Sequence, residues 1–384
     1  MEVGRVGLRT CIAAAVAIAL GGCGSVPVTG NMPAPALIDS STQLRPMFIW
    51  TAVQSTGAEE SLTLQLAPDG SGWVQDSAGL YRVSDSGATW TRVVKNPSGS
   101  PAFFTRRSAE EVNFQPPILM RTTNGGRTWH KTPAGKPLTD GAWSSITSSV
   151  AYSYVPVNRL LFPYGQLYRT ETGGAKWVLV NGRMPNINGT AQMSFADTDH
   201  GALLLAELER GVPNGHSELY VTSNGGATWQ QPSAPGLLPE SAPLGLYLFA
   251  GGGGVLLMSS LPGGGRSLPT TSLTVYRTHD YGHHWIPGTP IDYGCGACIQ
   301  VLSDSTLVTE QANAPNYETV DAGRTWSPLP MSLESVVANG PVYFLDPASV
   351  IAYDIIQESP PVATVSWSGN AGTSWSSPRA VLIH

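Results

Sequence analysis

One eight-residue pattern recurs seven times along this 384-residue chain and constrains its fold more than any other feature. The copies are VSDSGATW (83–90), TTNGGRTW (122–129), TETGGAKW (170–177), TSNGGATW (222–229), THDYGHHW (278–285), TVDAGRTW (319–326) and SGNAGTSW (368–375). Glycine holds the fifth place and tryptophan the eighth in all seven. The tryptophans stand 39, 48, 52, 56, 41 and 49 residues apart, and seven of the chain's 11 tryptophans fall on this position, which excludes coincidence. A period of this size marks a supersecondary unit that buries its apolar face only by stacking on its neighbours.

Each place in the pattern has a physical task. The third residue (Asp85, Asn124, Asn224, Asp280, Asp321 or Asn370) carries a short side chain able to accept hydrogen bonds from its own turn. The glycine (Gly87, Gly126, Gly174, Gly226, Gly282, Gly323, Gly372) permits a positive φ. The tryptophan (Trp90, Trp129, Trp177, Trp229, Trp285, Trp326, Trp375) opens the next strand and covers the turn with its ring. Thr172 and Lys176 in the third copy and His284 in the fifth depart from the pattern, so those turns are expected to be looser.

The spacing suits one four-stranded propeller blade per repeat. The pattern resembles the Asp-box, or bacterial neuraminidase repeat, S/T-x-D-x-G-x-T-W, across almost the whole chain. That resemblance implies an all-β, seven-bladed β-propeller in which each box joins the third and fourth strands, on the face away from the binding site. It implies no activity. LQLAPDGSGWVQDSAGLYRV before the first box, and MSFADTDHGALLLAE with SELYV before the fourth, look like the photosystem II stability/assembly factor family of plants and cyanobacteria, whose members are non-catalytic assembly chaperones.

Composition agrees with this architecture. Only 12% of residues are charged, Gly numbers 43 and Pro 31, and no long stretch shows apolar residues at helical spacing. The net charge is −6 and there are four lysines, so no basic face offers itself to nucleic acid.

Arg5 and Arg9 precede an apolar run from Cys11 to Leu20, about half of the roughly 20 residues a membrane span needs. This is the layout of a secretory signal. Leu20-Gly21-Gly22-Cys23 resembles a bacterial lipobox, which implies cleavage before Cys23 and a lipid on its sulfur. Residues 1–22 are thus expected to be a signal peptide, 23–46 a flexible tether and 47–384 the propeller. Lipidated Cys23 would anchor it to the outer face of the cell membrane, or to a periplasmic membrane face. The apolar segment from Met47 to Val53 is expected to pair with the last blade and close the ring.

The function expected is that of a monomeric, non-catalytic module binding a protein partner at the membrane or envelope, without metal or other cofactor. Long loops expected on the rim opposite the boxes carry Arg106, Arg107, Arg210 and Arg266, candidates for an anionic or peptide partner. The alternatives are a carbohydrate-binding propeller and a sialidase-like glycosidase. A sialidase needs three arginines around a carboxylate, a tyrosine paired with a glutamate, and an acidic aspartate. The nearest string to its R-I-P motif, Arg183-Met184-Pro185, follows the third box instead of preceding the first. Cys295 and Cys298 read as a loop-locking disulfide outside the cytoplasm; redox chemistry, or zinc with His283 and His284, are the other readings of that pair. Asp197, Asp199 and His200 read as a solvated polar turn.

Overall fold

The computed structural model describes residues 9–11, 48–53, 59–76, 78–97, 99–103, 105, 107–114, 117–133, 142–157, 164–187, 189–209, 212–234, 241–260, 271–293, 298–310, 316–331, 341–356 and 362–384. Among them all regular structure is β and no helix occurs. The strands fall into seven sheets that follow one another along the chain. The third is representative: Ala142–Ser145, Ala151–Val157, Tyr164–Thr170 and Val178–Met184 pair antiparallel in that order. In six sheets the repeated turn joins the third strand to a fourth, as between Thr170 and Val178 or Thr319 and Ser327.

Burial falls from the first strand of a sheet to its last. Ser241–Leu248, the first strand of the fifth sheet, buries all eight residues, whereas the outermost strand of the third, Val178–Met184, buries only Met184. Inner strands are sandwiched between neighbouring sheets and so read as apolar runs; the outermost strands face solvent along much of their length. The cores are therefore shared between sheets. Leu204 and Val221 of the fourth pack with Leu246, Leu256 and Trp285 of the fifth, and Leu302 and Val308 of the sixth with Phe344 and Val350 of the seventh.

The seventh sheet packs in turn on the first, through a core joining Leu64, Tyr81 and Trp90 to Tyr343, Ile351 and Val365. Tyr343 Oη accepts the Leu66 N–H at 3.1 Å, Tyr353 Oη donates to the Gly87 carbonyl at 3.2 Å, and Trp367 Nε1 donates to the Ser86 carbonyl at 2.8 Å. The C-terminal strand Leu382–Ile383 then crosses over and pairs parallel with the outer edge of Thr89–Lys95.

This junction differs from the expected one. Phe48–Val53 does not join the last sheet; it pairs antiparallel with Glu59–Leu66 of the first, Phe48 opposite Leu64 and Val53 opposite Glu59, and Arg9–Cys11 pairs on its far side. Only five residues separate Val53 from Glu59. Closing so short a loop costs far less chain entropy than reaching a strand some 300 residues away, since that cost grows with loop length. The C-terminal residues, already beside the first sheet, make the tie instead.

Candidate functional site

Six of the seven repeated turns share one hydrogen-bond network, and its centre is the hydroxyl in the first place, a role that reading the sequence overlooked. In the fourth turn Thr222 Oγ1 accepts the Gly226 N–H at 2.9 Å and donates to Asn224 Oδ1 at 3.0 Å; Asn224 Oδ1 accepts the Thr228 N–H at 2.9 Å. The same bonds recur around Thr122, Thr170, Thr278, Thr319 and Ser368. The signal was present in the sequence, because these six places hold Thr or Ser and only Val83 does not.

The turns expected to be looser are not. In the third, Thr172 Oγ1 replaces the Asx oxygen and accepts the Lys176 N–H at 2.9 Å. In the fifth, the His284 N–H reaches Asp280 Oδ1 at 2.9 Å while its Nδ1 meets Oδ2 at 2.5 Å. The divergent turn is the first. With no hydroxyl at Val83, the Gly87 N–H goes to the Ser84 carbonyl at 3.1 Å, Asp85 takes a φ of 53°, and its carboxylate pairs with Arg379 Nη2 at 2.7 Å instead of serving its own turn. The tryptophans also differ: the rings of Trp90 and Trp285 are fully buried, and the other five are half-buried.

Asp321 offers a test of the network. Partial burial works against its charge, but the N–H and hydroxyl of Thr325, the Thr319 hydroxyl and Arg324 outweigh that and hold the carboxyl at about 2. A carboxyl depressed in the fold adds stability above its unfolded value of about 3.9, and that stability is lost as pH falls towards 2. Asn fills the same place at Asn124, where its Nδ2 bonds the Thr128 hydroxyl at 2.8 Å. Asp321→Asn is therefore expected to keep the turn and to show a smaller fall in melting temperature between pH 4 and pH 2 than the parent, measured by calorimetry.

The residue before the turn glycine ties each of these six turns to a second turn of its sheet, between the first and second strands. Gly125, Gly173, Gly225, Tyr281, Ala322 and Ala371 donate their N–H to the carbonyls of Arg107, Ser149, Asp199, Gly252, Ser305 and Ala348, at 2.7–2.9 Å. Both turns thus lie on one face, and this relocates Arg107. It was expected on the opposite rim, yet residues 99–103 and 109–114 form the first two strands of their sheet, and Arg107 sits in the turn between them, beside the repeated turn. Arg106, Arg210, Arg266, Cys23 and Cys295 lie outside the described residues, and of Cys298 only its place at the start of a strand is described.

Two polar clusters occur in the fourth sheet. His200 stacks on Tyr281 with ring centroids 3.9 Å apart, and its Nδ1 lies 2.9 Å from Asp197 Oδ2. Burial disfavours the Asp197 charge, but the N–H groups of Asp199 and His200 and the His200 ring hold the carboxyl below its usual range. This turn satisfies itself. Among the described residues no three His, Cys, Asp or Glu side chains gather as a metal site.

The second cluster lies on the strand Val212–Thr222. Tyr220 Oη donates to Glu218 Oε2 at 2.8 Å, and His216 Nε2 is 3.3 Å from Glu218 Oε1. Burial and the neighbouring Glu218 carboxylate push the Tyr220 phenol up to about 12, so it keeps its proton. This strand pairs with Gly201–Glu209 on one side. On the other, among the described residues, only Val221 has a backbone partner, Gln230. The chain then turns away: the Ser233 carbonyl accepts the Trp285 N–H at 2.9 Å and its N–H donates to His283, in the repeated turn of the fifth sheet. The cause is local. Pro232, two residues after Gln230, lacks the N–H group a ladder requires. The fourth sheet thus has three strands; Gln231 bonds the Tyr220 side chain, and the outer edge from Val212 to Leu219 is one that no described strand covers.

No protein-family model matches the chain, and neither does any curated protein. Among solved structures, the GH74 xyloglucanase from Xanthomonas campestris shares 14% identity with a TM-score of 0.51, over 83% of this chain and 53% of that one. YCF48 bound to D1 peptide shares 14% identity over 90% of this chain and 97% of that one, with a TM-score of 0.45. The β-propeller domain of the trilobed protease from Pyrococcus furiosus shares 11% over 73% and 93%, with a TM-score of 0.37. The neighbours are β-propeller proteins, and likeness at these identities speaks of fold alone.

Proposed function

We propose that this chain is a non-catalytic, lipid-anchored, extracytoplasmic module: a seven-bladed propeller with an Asp-box turn in each blade, which binds a protein partner at the membrane or cell envelope. The observation that supports partner binding best is the edge of the fourth sheet. Its N–H and C=O groups alternate at strand spacing, and the ligand whose own groups match that spacing is another extended polypeptide. The anchor rests on Leu20 to Cys23 and the blade count on the seven turns and seven sheets.

A sialidase-like reading would use Tyr220 and Glu218, but this pair stands on the outermost strand of its sheet, far from the inner strands where a propeller's channel opens. The test uses the full chain with Cys23 intact, solubilised from membranes in detergent, cross-linked and captured. A defined envelope protein recovered with it, and no hydrolysis of a fluorogenic sialoside, is the expected result. Turnover of the sialoside, or recovery of the chain alone, overturns the proposal.

A further inference from the structure

The chain carries −6 overall, yet charge is unevenly spread over the face of the repeated turns. Three arginines converge on the second turn, around Gly125. Arg82 reaches across from the first sheet, its Nη1 3.1 Å from where a Cβ on Gly125 would stand, so the glycine, at a φ of 73°, makes room for it. The Arg107 carbonyl accepts the Gly125 N–H at 2.7 Å, and Arg127 follows two residues later. Arg107 and Arg127 are exposed and Arg82 is half-buried. None of the three guanidiniums has a hydrogen-bond or ion-pair partner among the described residues. Arg121, at the place equivalent to Arg82, lies over Gly173 in the same way but donates to the Ser148 carbonyl.

The described acids of the first three sheets on this face are engaged elsewhere. Asp85 pairs with Arg379 at 2.7 Å, Glu171 with Arg169 at 2.6 Å, and Asp69 accepts the Ser71 N–H and hydroxyl. Asp197, Asp199, Asp304 and Asp346 lie in turns between first and second strands of the fourth, sixth and seventh sheets. The basic sector is thus confined to the second sheet and its border with the first, which pack together through Trp73, Leu80, Ala109 and Trp129.

The same face receives the N-terminal segment. Glu59–Leu66 runs towards the turn at 67–71, where Gly70 abuts the Ser86 backbone in the first repeated turn. Phe48 stands opposite Leu64 and Val53 opposite Glu59, so the chain enters Phe48–Val53 at the face of the repeated turns. Cys23 precedes Phe48 by 25 residues, and a flexible segment of that length has an end-to-end distance of about 30 Å. A lipid on Cys23 would therefore hold this face, with the first and second sheets beside the entry point, towards the bilayer. Basic side chains within a Debye length of the surface, about 10 Å at 0.1 M salt, are attracted to anionic headgroups.

We infer that the arginine sector around Gly125 is a docking surface for anionic lipid headgroups, which seats the propeller with its repeated turns on the membrane and leaves the opposite rim free. This rests on the lipid-anchor reading above and names the surface that the anchored module presents to the bilayer.

The test uses the full chain with Cys23 intact, purified from membranes and reconstituted into vesicles of phosphatidylcholine, with or without phosphatidylglycerol. Hydrogen exchange in residues 105–108 and 122–129 is expected to be several-fold slower in the vesicles that contain phosphatidylglycerol. Exchange in the sixth repeated turn, 319–326, should be the same in both. The slowing should vanish at about 1 M salt, where the Debye length falls to about 3 Å. It should vanish as well when Arg82→Gln, Arg107→Gln and Arg127→Gln are combined, with the melting temperature unchanged. Equal exchange in the two lipids overturns the inference, as does slowing that survives salt or the triple variant. So does slowing by poly-glutamate without vesicles where phosphatidylglycerol has no effect, which would give the sector to an acidic protein. The mass of the purified chain reports the anchor separately: an acylated chain whose turns stay unprotected sinks only the docking surface, and a chain without acyl groups sinks the anchor reading with it.

Discussion

Removing residues 379–384 is expected to lower the melting temperature by roughly 5–10 °C, through a loss of several kcal/mol at about 2–4 °C each for a large domain. These residues tie the seventh sheet to the first. Leu382 donates its N–H to the Ala88 carbonyl at 3.0 Å, His384 donates to Trp90 at 2.9 Å and accepts from Arg92 at 2.8 Å, and the Val381 N–H reaches the Ala363 carbonyl at 2.7 Å. Each such bond contributes about 1 kcal/mol net. Val381 adds a side chain to the core shared by the two sheets, worth about 1.5–3 kcal/mol when fully buried. Ordering six residues offsets part of that sum. Truncation also bares the outer edge of Thr89–Lys95, which invites association between molecules. Arg379→Ala removes only the exposed ion pair with Asp85, worth about 0–1 kcal/mol, and should hardly move the transition. Calorimetry on both variants decides the matter: if truncation costs no more than Arg379→Ala, the C-terminal strand does not hold the junction.

The repeated turns were legible because every place in them answers to a local need. A positive φ at Gly226, an acceptor at Asn224 and a ring at Trp229 are requirements of one hairpin, readable within eight residues. Local requirements also explain how substitutions are absorbed. Thr172 carries an oxygen that accepts the same N–H as the Asx oxygen does, so the third turn keeps that bond, whereas Val83 carries none and the first turn rearranges. Judging by likeness to the consensus pointed at the wrong copy; asking which residue supplies each acceptor identifies the right one.

What escaped the sequence were relations between segments. Arg107 was assigned to the far rim from the length of its loop, but residues 99–103 and 109–114 pair across it and place it on the face of the repeated turns. The partner of Phe48–Val53 depended on whether a near or a distant strand claimed it, and hydrophobicity alone cannot tell these apart. The uncovered edge of the fourth sheet was signalled by Pro232, just after Trp229, but a reader who finds the turn intact supplies the missing strand by analogy with the other copies. Six turns lead into a fourth strand; at the fourth, the chain passes Pro232 and reaches the fifth sheet at Ser233.

The same divergence between sequence-equivalent positions sets the second large expectation, that Trp285→Ala costs about 3–5 kcal/mol, as deep truncations of large core side chains do. Trp285 is 1% exposed and lies among Leu204, Leu219 and Val221 of the fourth sheet and Leu246, Leu256 and Tyr276 of the fifth. Trp326, in the same place of the next repeat, is half-buried and bonds the Thr289 carbonyl through Nε1 at 3.1 Å, so Trp326→Ala should cost distinctly less. The difference arises because the chain leaving the fourth turn packs across the fifth, where Ser233 meets His283 and Trp285, and seals that ring. The seal has an imperfection: Trp285 Nε1 is buried with no hydrogen-bond partner among the described residues. An orphaned donor costs about 1–3 kcal/mol, so Trp285→Phe, which removes it while keeping most of the ring, should regain much of what Trp285→Ala loses. Urea unfolding of the three variants separates these contributions. Equal midpoints for Trp285→Ala and Trp326→Ala would show that the repeat alone, and not the neighbouring sheet, determines what each tryptophan contributes.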